Sequence, residues 1–149
     1  MNALSAPTAP GRIIRLARMT RLQARANPQV LFVFGDNLVG AGFGGQAAEL
    51  RGEPNAVGIP TKRAPRRDER AYFRDADLTL AAPVISAAFA RLAEHLADGG
   101  DIVWPAAGVG TGLAELPRRA PAIAAFIEAG YRQLVSVATA VLDGPAELR

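Results

Sequence analysis

The chain has 149 residues, half of them apolar, a formal net charge of +3 and no cysteine. That length suits one domain with a proper core. The absence of cysteine excludes a disulfide framework, thiolate catalysis and thiolate metal sites, while the mild positive charge suits an anionic ligand or a nucleic-acid contact without requiring either.

Residues 1–10 are small, polar and proline-bearing. They read as a disordered lead-in that lacks the apolar core of a secretory signal, so a cytoplasmic protein is expected. Residues 11–17 alternate apolar and basic side chains and suit a first strand. Residues 29–35, Gln-Val-Leu-Phe-Val-Phe-Gly, form an apolar run bounded by Asn27-Pro28 and Gly35-Asp36-Asn37, which predicts a buried strand. A glycine-rich loop follows at residues 40–45. Residues 46–51 suit a short helix stopped by Gly52 and Pro54, and residues 56–59 a brief strand ended by Pro60.

Residues 61–77 are polar, arginine-heavy and broken by Pro65, which predicts a loop with at most one helical turn. Residues 78–97 carry Val84, Ile85, Ala88, Phe89, Leu92 and Leu96 at helical spacing and stop at Asp98-Gly99-Gly100. A strand at 101–105, a second glycine-rich loop at 106–112, a helix at 115–129 closed by Gly130, and a last strand at 133–142 complete the chain. Strands alternating with helices predict an α/β domain with a largely parallel sheet. His95, the single histidine, falls in a helical pattern and reads as structural. No apolar run is expected to be long enough to span a bilayer.

Both glycine loops follow a buried strand and lead into a helix. In open α/β sheets that is where ligands bind, and glycine lets backbone N–H groups approach an anion without a Cβ in the way. Gly40, Gly42 and Gly45 fit G-x-G-x-x-G, but the acidic residue a dinucleotide site wants about 20 positions later is replaced by Thr61-Lys62-Arg63. Asp36-Asn37 at the strand exit suits ribose hydroxyls and equally suits a turn or cap.

Lys62 is the only lysine among 17 basic side chains. Unlike arginine, a lysine can be neutralised by its surroundings and attack carbon; a chance surface lysine is the alternative. Arg63, Arg66, Arg67, Arg70 and Arg74 crowd the segment beyond it. The first four suit nucleic-acid phosphates, or else a solvated loop.

Taken in order, these features resemble a macrodomain, the ADP-ribose-binding fold. Gly58-Ile59-Pro60-Thr61-Lys62 is similar to the Phe-Pro-Thr-Lys segment of its lysine-dependent branch, which holds the DarG antitoxin and the terminal ADP-ribose glycohydrolase of animals. Asn37 with residues 40–47 looks like the first substrate loop, and residues 108–113 look like the diphosphate loop. The whole pattern also resembles uncharacterised bacterial and phage proteins.

The resemblance implies a single domain over 11–149, with a macrodomain-like three-layer α/β/α fold and a mixed, largely parallel sheet. It implies ADP-ribose or an ADP-ribosylated macromolecule as partner, with no cofactor, metal or membrane. It makes Lys62 the nucleophile that releases ADP-ribose, and it places Asp36, Asn37, Gly40, Gly42, Phe43, Gly44, Gly45, Gln46, Thr61, Gly108, Val109, Gly110, Thr111, Gly112 and Leu113 against substrate. Two departures stand out. Residues 17–21 lack the Asp with which macrodomains read adenine, and Gly112 stands where the animal enzyme has an Asp. A non-catalytic ADP-ribose reader and a nucleic-acid-binding accessory protein are the rival readings.

Overall fold

A computed structural model describes residues 8–148 of the chain. Most of the expected disordered lead-in, residues 1–7, lies outside the described residues. Residues 8–10 lie against the body of the fold, where Thr139 Oγ1 donates to the Pro10 carbonyl at 2.9 Å.

Five strands and five helices follow in chain order: β1 (Ile13–Leu16), α1 (Arg21–Ala26), β2 (Leu31–Asn37), α2 (Ala47–Leu50), β3 (Ala56–Lys62), α3 (Leu78–Ala97), β4 (Ile102–Pro105), α4 (Leu116–Arg119), α5 (Pro121–Val137) and β5 (Val141–Asp143). Two 3₁₀ turns, Glu69–Ala71 and Asp75–Asp77, precede α3. The strands form one sheet in the order β3-β2-β4-β1-β5. Every pairing in it is parallel. The expectation of a mixed sheet is therefore corrected. Each connection from one strand to the next runs through a helix, which returns the chain to start the next strand in the same direction.

Period-2 alternation sends side chains to both faces. Ile13, Val33, Ile59, Ile102 and Trp104 join α3 and α5 in one core. Ile14, Leu16, Phe32, Phe34 and Val103 join residues of α1 and α2 in the other. The fold is thus α/β with helices on both faces. Pro60 is tolerated within β3 because that strand lies at the sheet edge, where a missing N–H leaves no ladder bond unmade.

The helices differ from expectation in three places. The short α1 carries one buried residue, Ala24, so it has almost no apolar periodicity. It is set instead by a capping box, in which Thr20 accepts from the Gln23 amide and the Gln23 side chain accepts from the Thr20 amide. Ala120 divides the expected helix at 115–129 into α4 and α5. Gly130 does not stop α5, which continues to Val137; the predicted strand at 133–142 shrinks to β5. Gly130 is a notch between helices: a Cβ there would stand 2.5 Å from the Phe89 ring of α3. Leu134 extends the buried face of Ile123 and Ile127, so tertiary burial overrides the strand propensity of Val135 and Val137.

The stretch Asp75–Ala97 is long and apolar enough, by length and composition, to cross a bilayer, contrary to expectation. Here it covers the sheet, with Ala81, Ile85, Leu92 and Leu96 buried. His95 Nε2 lies 3.0 Å from the Asp101 carbonyl, a structural contact.

Among the glycines, Gly11 has the closest backbone neighbour. A Cβ there would lie 1.7 Å from the carbonyl oxygen of Gly100. Backbone cannot swing aside as a side chain can, so Gly11→Ala is expected to lower stability by about 1–3 kcal/mol, read as a lower denaturant midpoint at unchanged m-value.

Candidate functional site

The C-terminal ends of β2, β3 and β4 meet the two glycine loops in one cleft of about 340 Å³. Parallel strands make this possible, because all of them end on the same side of the sheet. Of the residues expected to touch substrate, Asp36, Asn37, Gly42, Gly44, Gly45, Gln46, Thr61, Lys62 and all of residues 108–113 line the cleft. Gly40 and Phe43 do not. Phe43 stands 68% exposed at the tip of the first loop.

The second loop leaves β4 at Pro105. Thr111 Oγ1 braces it by donating to the Ala107 carbonyl at 2.9 Å, and the Leu116 amide closes it on the Gly110 carbonyl at 2.9 Å. Gly108 and Gly110 have φ of 91° and 83°, the left-handed region that a side chain rarely enters. Thr61 is buried between the strand ends, and its hydroxyl donates to the Asp36 carbonyl at 3.1 Å.

The first loop is held from both sides. Asn37 Nδ2 donates to the Ala41 carbonyl at 2.8 Å, while its Oδ1 accepts the amides of Val39 and Gly40. From the other side Arg51 Nε donates to the Gly42 carbonyl at 2.7 Å and its Nη2 to the Ala41 carbonyl at 3.2 Å. In a trans peptide the C=O and N–H point opposite ways, so the amides of Gly42 and Phe43 turn away from Arg51. Among the described residues, the backbone N–H groups of 41–46 and of 109–114 donate to no atom of the chain. Two runs of unpaired amides therefore belong to the two loops that line one cleft. Backbone amides of this kind form anion-binding concavities.

Asp36 is occupied in the same lattice. Its carboxylate accepts Arg51 at 2.5 and 3.4 Å and the Asn37 amide at 2.8 Å. It also rests on Gly58, where a Cβ would lie 2.6 Å from Asp36 Oδ2. The Asp36-Asn37 pair thus acts here as the turn and loop anchor, one of the two roles its sequence allows. Gln46 is similarly engaged: its side chain pairs with the backbone of Met19, accepting at 2.6 Å and donating at 3.0 Å.

Lys62 is the last residue of β3, just past a register shift against Asp36 and Asn37. Its Nζ donates to the Arg66 carbonyl at 2.6 Å and sits 4.4 Å from the centre of the Tyr72 ring. Burial pushes the Lys62 ammonium below the ordinary lysine range, and the positive charges of Arg67 and Arg119 push the same way, against Asp68. Among the described residues Asp36 is the only carboxylate lining the cleft, against three cations, Arg51, Lys62 and Arg67. The site therefore favours an anion.

The four arginines offered for nucleic acid separate in the fold. Arg63 pairs with Asp77, and Arg66 with Asp68 at 3.0 Å. Arg67 lines the cleft, and neither it nor Arg70 has an ion-pair partner among the described residues. Sequence reasoning missed Arg51, Tyr72 and Arg119. Arg51 carries no local signal, since its contacts lie 9 to 15 residues away. Tyr72 had a weak one, as an aromatic within a basic segment. Among the described residues no cluster of three His, Cys, Asp or Glu could hold a metal ion.

Fold and site together define an α/β protein with a basic, amide-lined cleft at the C-terminal edge of a parallel sheet. Residues 14–130 match the family of unknown function DUF7831, and the chain belongs to that family. No curated protein and no solved structure matches it.

Proposed function

We propose that the cleft binds ADP-ribose on a macrodomain-like scaffold, and that Lys62 releases ADP-ribose from a modified macromolecule. The observation that carries this reading is the convergence of two unpaired amide runs and the only lysine on one basic cleft. Two loops from two strands suit a diphosphate, whose two phosphoryl groups each need donors.

Lys62 supplies the reacting atom. In its neutral form the Nζ lone pair attacks the anomeric carbon of the distal ribose. A C–N bond forms as the bond from that carbon to the target breaks, and the target atom leaves with the electron pair and takes up a proton. Water then displaces Nζ from carbon and restores the amine. The lowered proton affinity of Lys62 enlarges the neutral fraction at a given pH. A nucleic-acid target is favoured by Arg67 and Arg70, which keep their charge free for phosphates.

A ligand that binds only the native state stabilises it by about 2.7 kcal/mol at roughly 100 times its Kd, enough to raise Tm by roughly 5–10 °C in a chain of this size. ADP-ribose is expected to do so and AMP, with one phosphate, to do so less. No shift at millimolar ADP-ribose would remove the ligand assignment. Release of ADP-ribose from modified DNA or protein then separates a hydrolase from a reader.

A further inference from the structure

Lys62 is positioned by an aromatic ring with an arginine on it, and that arginine is not part of the cleft. Nζ lies 4.4 Å from the Tyr72 ring centre, and the Arg119 guanidinium lies 3.7 Å from the same ring. Arg119 borders a second cavity of about 330 Å³, together with Glu69, Phe73, Arg74 and Asp75. Tyr72 is the wall common to this cavity and the cleft.

Arg119 is fixed at several points. Nη1 donates to Glu69 at 2.8 Å, and Nε donates to Glu115 at 2.7 Å. Its side chain is only 17% exposed, although both carboxylates reach solvent. Glu69 opens the 3₁₀ turn that leads into Tyr72, and Tyr72 forms an isolated antiparallel bridge with Lys62. Glu115 leaves the second glycine loop with φ 49° and ψ 37°, the only left-handed non-glycine residue among the described residues. Such a backbone costs of order 1–3 kcal/mol and persists where its surroundings over-determine it. An isolated surface ion pair contributes little. Here two carboxylates from separate segments converge on one guanidinium stacked on a ring, which fixes a geometry.

We propose that Arg119 is a positioning residue: it holds the Tyr72 ring against Lys62 and ties the lysine's arm to the exit of the second glycine loop. The role rests on the Lys62 chemistry proposed above. The groups facing Lys62 are the Tyr72 ring, the Arg66 carbonyl, the cations Arg67 and Arg119, and Asp68. Loss of Arg119 removes one cation and frees the ring, and both changes alter the amine while every residue of the two glycine loops stays as it is.

Because Lys62 is the only lysine, isotope-labelled lysine gives one side-chain NMR signal in the ligand-free protein. In the parent the ring should shift the Lys62 εCH₂ protons upfield, with a titration midpoint below that of free lysine. Arg119→Gln is expected to return the signal toward the free-lysine position and to raise the midpoint, because a neighbouring positive charge is lost, leaving less neutral amine at a pH below it. Tyr72→Phe should keep the upfield shift and Tyr72→Leu should lose it. Glu69 is largely exposed, so Glu69→Gln loosens Arg119 without threatening the fold. It should move the signal the same way by less, and it carries the test if Arg119→Gln does not fold. In the hydrolysis assay the acid limb of kcat should rise in pH with the midpoint, at unchanged KM.

A Lys62 signal and midpoint that stay put in Arg119→Gln and Glu69→Gln, while Tyr72→Leu moves both, would overturn the positioning role. A signal that moves as expected in a protein that releases no ADP-ribose would leave the positioning role standing and remove the hydrolase reading.

Discussion

Lys62→Arg should bind ADP-ribose about as well as the parent and lose hydrolysis by about 10³-fold or more. Binding should survive because the amides of the two glycine loops supply the grip, and arginine keeps the positive charge. The local contacts of Lys62 also suit an arginine, since a guanidinium stacks on a tyrosine ring and donates to a carbonyl. What arginine cannot supply is a neutral amine. If Lys62 only paired with a phosphate, arginine would replace it with little loss. Retained hydrolysis in Lys62→Arg therefore removes the nucleophile. In the parent, the rate should climb as pH rises through the lowered Lys62 value, because the deprotonated form attacks. Borohydride should trap a covalent Lys62–ribose adduct in the parent, by reducing the C=N bond formed when the Lys62 glycosylamine opens its ribose ring, and none in Lys62→Arg.

Much of the site was legible because local chemistry specified it. The apolar run through Phe32 and Phe34 is a buried strand, and residues 78–97 form a helix with the bounds their spacing predicts. The glycine loops stand out because positive φ at Gly42, Gly108 and Gly110 needs glycine. The less legible features were those decided by distant partners. Gly130 reads as a helix stop, yet Phe89, 41 positions earlier in the chain, makes it a packing notch. Asp36 reads equally as a ribose ligand or a turn residue, and the Arg51 that pairs with it lies 15 positions on, beyond any local reading. Arg63 and Arg70 look alike in a basic run, but Asp77 lies beside only one of them. Charge counts describe a segment, whereas ion pairs depend on the fold.

Gly44→Val and Gly112→Val should each weaken ADP-ribose about 10- to 100-fold while leaving stability nearly unchanged. Gly110 is the choice that sequence suggests, and it is the wrong probe. Its φ is 83°, and a Cβ there would lie 2.8 Å from Leu116 Cδ2 and 3.1 Å from Thr61 Cγ2, both on buried residues. Gly110→Val therefore damages the fold, and lost binding would say nothing about the loop. Gly112 also lines the cleft, lacks a positive φ, and has no atom within 4 Å of a built Cβ. Gly44, on the facing loop, meets only Leu113 Cδ1 at an ordinary 3.7 Å. Side chains at these two positions should cost the native state little and narrow the approach of a phosphate to the amides from opposite loops. Melting curves with and without ADP-ribose read both quantities at once. Unchanged Tm with the ligand-induced shift lost in both variants is the expected result. A parental shift in both would mean that the anion does not lie between the loops, and the diphosphate site would have to be sought elsewhere on the molecule.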